Sequence, residues 1–227
     1  GYDTLGQGMG GLLSLLTDMK NPKPMGISLS DHLTGLFACY GILGALFGRT
    51  ATGDGQKVET SLLQSTASFI SENAARYFET GQVPSRESRA HLAQVYAFVA
   101  GDSRPFVIHL SSPPKFWEGL TRAVGKPELA EDPRFHDRNA RAKNYDQLHA
   151  LLSEIFVTAP REDWIERMRK EDVPCGPLNN AEEVFQDPQV KQLGMAIDLS
   201  RPEVGELRVT RYALRVTGYA LHVTRHA

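Results

Sequence analysis

Between His32 and Arg49 the chain carries no charged side chain, and Leu33 to Gly48 forms an apolar segment of 16 residues. From Leu33 to Phe47 the apolar positions have the spacing of a helix. A bilayer span needs about 20 apolar residues, and this run is shorter and interrupted by glycines. The segment therefore predicts a helix buried in a protein core, and any fold must first accommodate it.

Met25-Gly26-Ile27-Ser28-Leu29-Ser30-Asp31-His32 leads directly into that run. A carboxylate at such a point sits where free backbone N–H groups and the helix dipole favour negative charge. Two readings follow. Ser30 or Asp31 caps the helix, which is the common use of these residue types, or Asp31 is a carboxylate nucleophile held at a dry helix end.

The remaining composition narrows the class. The 227 residues are 41% hydrophobic and 23% charged, as in a soluble globular protein of one large or two small domains. A net charge of −2 gives no electrostatic case for nucleic acid or an anionic membrane. Two cysteines, Cys39 and Cys175, make neither a disulfide framework nor a zinc site, and a reducing cytoplasm is expected. No basic start followed by an apolar core reads as a signal peptide. The first residue is Gly1 and helical periodicity begins almost at once, so the chain reads as the middle of something longer.

Along the chain, Leu12 to Leu16 predict a short helix, Lys57–Thr60 a short strand, and Ser61 the start of a long helix to about Thr80. Leu62, Ala67, Phe69, Ile70, Ala74 and Tyr77 are its candidate buried positions. Polar residues 84–89 mark a boundary. Val95–Ala100 and Phe106–Leu110, joined by Gly101-Asp102, predict an antiparallel hairpin. Helices are expected over Pro113–Val124, Tyr145–Phe156 and Arg161–Lys170, with residues 127–144 irregular. The fold class is α/β in the mixed α+β sense. Arg208-Val209-Thr210-Arg211-Tyr212-Ala213-Leu214 is nearly repeated at 215–221 and begun again at 222. So few repeats do not make a coiled coil, and Val-Thr pairs favour strands. The tail reads as a translated tandem repeat, expected to be poorly ordered.

The order of landmarks carries more than any one of them. Gly26 to Leu36 is followed by Gly41-Ile42-Leu43-Gly44-Ala45-Leu46, Thr52-Gly53-Asp54-Gly55-Gln56-Lys57-Val58 and Ser61-Leu62-Leu63. Glu128 to Phe135, Val173-Pro174-Cys175-Gly176-Pro177-Leu178-Asn179 and Asp187-Pro188-Gln189-Val190 complete the series. Together they resemble the class III coenzyme A transferases, which include formyl-CoA and carnitine-type CoA-transferases, over about residues 1–207.

That resemblance implies that Asp31 is the nucleophile. It attacks an acyl-CoA thioester, forms a mixed anhydride and then an aspartyl-CoA thioester, and the incoming carboxylic acid takes over the CoA. Coenzyme A thioester is then a substrate, with no permanently bound cofactor and no metal. Implied partners are acyl-CoA, a carboxylic acid and a second subunit in an interlocked homodimer, without nucleic acid or membrane. The implied layout is a large-domain and linker segment (1–84), a small α+β domain (85–178), a return segment (179–207) and the repeat-like tail (208–227). An N-terminal half supplies most of the CoA site in that family. The CoA-contacting residues are therefore expected outside this chain, and the chain alone is expected to be inactive.

α-Methylacyl-CoA racemases of the same superfamily give the alternative, with the matching aspartate paired to the histidine of a Gly-His-Asp run. Here the run is Gly1-Tyr2-Asp3, and tyrosine, with a reference pKa of about 10, shuttles protons poorly near neutrality. A non-catalytic remnant is the other alternative. Gly8, Gly10 and Gly11 follow no strand, as a phosphate loop would require, and read as close helix packing. His32 reads as a bystander, Cys175 as part of a structural turn, and Gln56 and Lys57 as structural.

Overall fold

A computed structural model describes residues 1–111, 113–211 and 213. The first segment is helical: α1 (Asp3–Met9), a 3-10 turn (Leu13–Leu15), α2 (Leu29–Thr52), α3 (Leu62–Phe69) and α4 (Ser71–Thr80). Local chemistry sets the ends. Gly53 at φ 79° and Gly81 at φ 69° close α2 and α4 in the left-handed conformation that glycine adopts freely. Ser61 starts α3, its Oγ accepting from the Gln64 N–H at 3.2 Å.

The expected long helix from Ser61 is thus two helices, broken where Ile70 leaves helical geometry (φ −87°, ψ 20°). The short helix expected over Leu12–Leu16 is the 3-10 turn, and α1 lies before it across the glycine-rich patch. No strand forms at Lys57–Thr60. A strand needs a neighbouring edge to pair with, whereas here Val58 packs on α2. A Cβ added to Gly41 would lie 2.6 Å from Val58 Cγ1.

Small residues, not the predicted apolar ones, join α1, α2 and α3. Ser30, Ser65 and Thr66 are buried, whereas Phe69 and Tyr77 are exposed. The Ser30 and Thr66 hydroxyls are 2.8 Å apart, and Thr66 donates onward to the Leu62 carbonyl at 2.7 Å. A Cβ on Gly10 would come within 2.5 Å of Thr66 Cβ, while one on Gly8 meets nothing within 4 Å. Close packing therefore explains Gly10 but not Gly8. Gly10→Ala is expected to destabilise this segment by about 1–3 kcal/mol through overpacking. Gly8→Ala is expected to be neutral or slightly stabilising. Urea denaturation with equal midpoints for the two variants would remove the packing argument.

The apolar segment is helical as predicted, but it is not buried. Ser30 is the one buried residue of α2, and Leu36, Tyr40, Leu43 and Phe47 are 55%, 68%, 58% and 81% exposed. No described element lies over this face, so the helix follows from its spacing while its burial does not. At 24 residues α2 also exceeds the apolar run, and on length and composition alone it is long enough to cross a membrane.

α5 (Ser88–Ala93) leads to a second unit, where the core sits. The hairpin forms as expected. β1 (Val95–Val99) runs antiparallel to β2 (Pro105–His109), with Ala97 opposite Val107. β3 (Cys175–Pro177) adds to the other edge of β2. Cys175-Gly176-Pro177 is therefore an edge strand rather than a turn. Edge position tolerates Pro177, because one side of an edge strand has no partner to donate to.

Packed on the sheet are α6 (Pro114–Ala123), α7 (Arg138–Lys143), α8 (Tyr145–Phe156) and α9 (Arg161–Lys170). The last two have the predicted limits. α7 and a 3-10 turn at Pro127–Ala130 occupy the stretch expected to be irregular. There Asp132 accepts from Arg134, and those bonds hold its carboxyl at about 2, well below the usual range. Alternate residues of β1 and β2 point inward and meet helix positions such as Trp117, Leu148, Leu152 and Ile165. Phe156 lies at the centre, its ring 4.7 Å from Phe98, 5.0 Å from Phe106 and 5.2 Å from Trp164.

α10 (Ala181–Gln186), α11 (Pro188–Gln192) and the antiparallel pair β4 (Ala196–Arg201) and β5 (Gly205–Thr210) follow. Glu183 ties this segment back. It completes a capping box with Asn180 and accepts from Arg104 at 2.8 Å. That bond holds its carboxyl below the usual range. Arg161, 2% exposed, lies 3.7 Å from the same carboxylate. Residues 208–210, assigned above to the tail, belong to β5. The rest of the repeat, apart from Arg211 and Ala213, lies outside the described residues.

Candidate functional site

Helix α2 begins at Leu29, so Asp31 is its third residue and lies within the first turn rather than ahead of it. The first-turn N–H groups of a helix have no partner inside it and need an outside acceptor. Ser28, at the capping position, makes no side-chain cap bond. Neither Ser30 nor Asp31 caps the helix. Asp3, at the start of α1, does so instead. Its Oδ1 accepts from the Ser30 N–H at 2.8 Å and the Asp31 N–H at 3.2 Å.

Asp3 is itself held by Gln7, one turn along α1. The Gln7 Nε2 donates to Asp3 Oδ2 at 2.5 Å and to the Ile27 carbonyl at 3.1 Å. Both partners are acceptors, which fixes the orientation of the amide. Gln7 is 1% exposed, and its Oε1 is buried without a partner among the described residues. Ser30 continues the network to Thr66, and Thr34 Oγ1 donates to the Ser30 carbonyl at 2.7 Å. The backbone carrying Asp31 is therefore gripped on several sides.

The Asp31 side chain is not gripped. It is exposed, and no described residue hydrogen-bonds or pairs with its carboxylate. Its carboxylate opens to solvent rather than lying at a dry helix end. A cleft of 560 Å³ lies elsewhere, between α10, α11 and β5, lined by residues such as Phe185, Lys191 and Arg208.

The other candidates separate clearly. His32 Nδ1 lies 2.6 Å from the Ser28 carbonyl, which can only accept, so that nitrogen carries the proton. The ring is turned back along the chain, which fits a bystander. Tyr2 is 81% exposed and precedes α1. Lys57 pairs with Glu59 at 2.7 Å on the surface. Burial pushes the Cys175 thiol up, away from reactivity. Cys39 is exposed on α2. No group of His, Cys, Asp and Glu side chains suited to a metal occurs among the described residues.

Sequence reasoning missed Asp3 and Gln7. A signal existed, since positions 3 and 7 are one helical turn apart and share a face. Their target, 27 residues away in sequence, leaves no trace in local spacing.

Residues 1–227 match the model of CoA-transferase family III. Acetyl-CoA:oxalate CoA-transferase of Acetobacter aceti is 34% identical over 86% of this chain and 51% of its own length. Human succinyl-CoA:glutarate CoA-transferase is 28% identical over 92% of this chain and 48% of its own. The crystal structure of a CAIB/BAIF family protein from Brucella suis superposes with a TM-score of 0.81 at 32% identity, covering 96% of this chain and 56% of that one. A Mycobacterium tuberculosis protein at 21% identity shares the fold, with a TM-score of 0.80. The chain spans about half the length of the curated relatives it matches.

Proposed function

Since the chain belongs to CoA-transferase family III, we propose that it carries the nucleophile of a coenzyme A transfer between an acyl-CoA and a carboxylic acid, and that Asp31 is that nucleophile. The observation that carries this reading is the first turn of α2. Its N–H groups are capped by another carboxylate, and the Asp31 carboxylate is left exposed and unbonded.

The chemistry suits a carboxylate. A carboxylate oxygen of Asp31 adds to the thioester carbonyl, the C–S bond breaks, and CoA thiolate leaves an aspartyl-acyl anhydride. Thiolate attack on the aspartyl carbonyl releases the donor acid and forms an aspartyl-CoA thioester. The acceptor carboxylate adds to that thioester and expels thiolate, forming a second anhydride. Thiolate then takes the acceptor acyl group and restores Asp31. The net reaction exchanges thioester for thioester and carboxylate for carboxylate, and the covalent intermediates divide one difficult transfer into easier ones.

The whole activity needs more than this chain displays. In this reading the isolated chain is inactive, and most of the CoA site comes from the remaining half-length seen in its relatives. The exposed apolar face of α2 then meets the rest of an interlocked homodimer in the cytoplasm. Substrates are an acyl-CoA and a carboxylic acid of unassigned identity, with CoA as substrate and no resident cofactor.

The test is chemical trapping in the full-length polypeptide that contains these residues. Given acetyl-CoA or succinyl-CoA, hydroxylamine is expected to convert Asp31 to a hydroxamate, located by peptide mass spectrometry. Exchange of the substrate α-hydrogen with deuterated water should be negligible without an acceptor acid. Rapid exchange with no trapped Asp31 would move the assignment to racemisation.

A further inference from the structure

We propose that Asp3 is a positioning residue for Asp31. It takes over the capping of α2 so that the nucleophile's carboxylate stays free while its backbone is immobilised; this rests on the function proposed above. A carboxylate in the first turn of a helix has a ready local use. In a capping box the cap takes the N–H of the third helical residue, and the side chain at that third position reaches back to the N-cap N–H, here that of Ser28. An aspartate used that way is hydrogen-bonded and withdrawn from chemistry. In this chain Asp31 occupies the third position, and Asp3 Oδ1 already accepts from the Ser30 and Asp31 N–H groups at 2.8 and 3.2 Å.

Two features hold Asp3 to this task, an enclosed glutamine clamp and close helix packing. Gln7 binds its second oxygen at 2.5 Å and anchors to the Ile27 carbonyl at 3.1 Å, spanning the loop that enters α2. Gln7 is fully enclosed, so this clamp cannot swing into solvent. Close packing then brings α1 and α2 together. A Cβ on Gly6 would lie 3.0 Å from Ser30 Cβ, so a larger residue there would push Asp3 off the helix end. Asp3 acts through backbone, and its chemistry is that of a fixed acceptor.

The test pairs Asp3→Ala with Asp3→Asn, since asparagine keeps an acceptor oxygen for the two α2 N–H groups but sets its NH2 against the Gln7 Nε2 donor and so loses that clamp. The first readout needs no turnover. In this chain the Ser30 and Asp31 amides should exchange with deuterated water at least about tenfold faster in Asp3→Ala than in wild type, and at an intermediate rate in Asp3→Asn. The second is made in the full-length polypeptide with succinyl-CoA as donor and oxalate or glutarate as acceptor. Asp3→Ala should lower kcat by about 10- to 100-fold, the scale of a small misplacement of a reacting group. KM for the donor should stay within about threefold, because only the reacting atom is displaced.

Asp3→Asn should recover part of kcat, since it keeps the acceptor for the α2 N–H groups and loses the Gln7 bond. It also carries the test if Asp3→Ala fails to fold by circular dichroism. Unchanged kcat in Asp3→Ala, a loss confined to KM, or an Asp3→Asn variant as impaired as Asp3→Ala would overturn the proposal. Asp31→Ala serves as control. If it retains transfer, the assignment of Asp31 itself fails and the proposal with it. If it abolishes transfer while Asp3→Ala leaves kcat and exchange unchanged, only the role of Asp3 fails.

Discussion

Asp31→Ala and Asp31→Asn are each expected to remove CoA transfer in the full-length polypeptide, by at least about 1,000-fold in kcat, as removal of a covalent nucleophile does elsewhere. The fold should be unaffected. The side chain is exposed and bonds to no described residue, so its loss empties no packed space, and the helix keeps its cap because Asp3 supplies it. Initial rates with acetyl-CoA and succinyl-CoA as donors, beside far-ultraviolet circular dichroism, check both halves. A variant retaining most of the activity would take Asp31 out of the mechanism. A variant that loses the helix signal would restore it to the capping role.

The largest expected effect on stability lies far from that site. Phe156→Ala should destabilise the protein by about 3–5 kcal/mol, since it deletes a whole ring from a closed core and leaves a cavity. Phe98, Phe106 and Trp164 each stand about 5 Å from that ring in tilted or edge-on arrangements, so the lost aromatic contacts add to the lost burial. For a chain of this size the melting temperature should fall by roughly 10 °C or more. Phe78, 81% exposed on α4, provides the comparison, and Phe78→Ala should stay within about 0.5 kcal/mol. Calorimetry showing equal shifts for the two would contradict the placement of the core.

The two halves of the chain respond to different information. From Val95 onward the protein has its own interior, and periodicity there was sufficient. Alternation marked β1 and β2, and helical spacing marked α8 and α9 at their true limits. Before Val95, Leu12 is the one hydrophobic residue counted in the core. Burial forecasts made from apolar residues accordingly went astray there. Leu36, Phe37 and Tyr77 are exposed, while Ser30, Ser65 and Thr66 are enclosed.

The motif series over residues 1–207 carries the family and singles out Asp31, because a chain of short landmarks in fixed order is legible in one dimension. Helix α2, the hairpin and the overall mixture of helix and strand were legible for the same reason, since each depends on neighbours a few residues apart. The capping of α2 by Asp3 was not legible, nor was the pairing of Cys175–Pro177 with β2 or the failure of Lys57–Thr60 to become a strand. Each of these depends on which distant group arrives first at an unsatisfied N–H or C=O, and distance along the chain carries no record of that. Local sequence determined which segments are helices and strands and which carboxylate stands at the head of the apolar helix. Tertiary structure alone decided that the first turn of α2 is capped from outside: a second carboxylate, 28 residues earlier, accepts from the Ser30 and Asp31 N–H groups, and the Asp31 side chain is left without a described partner.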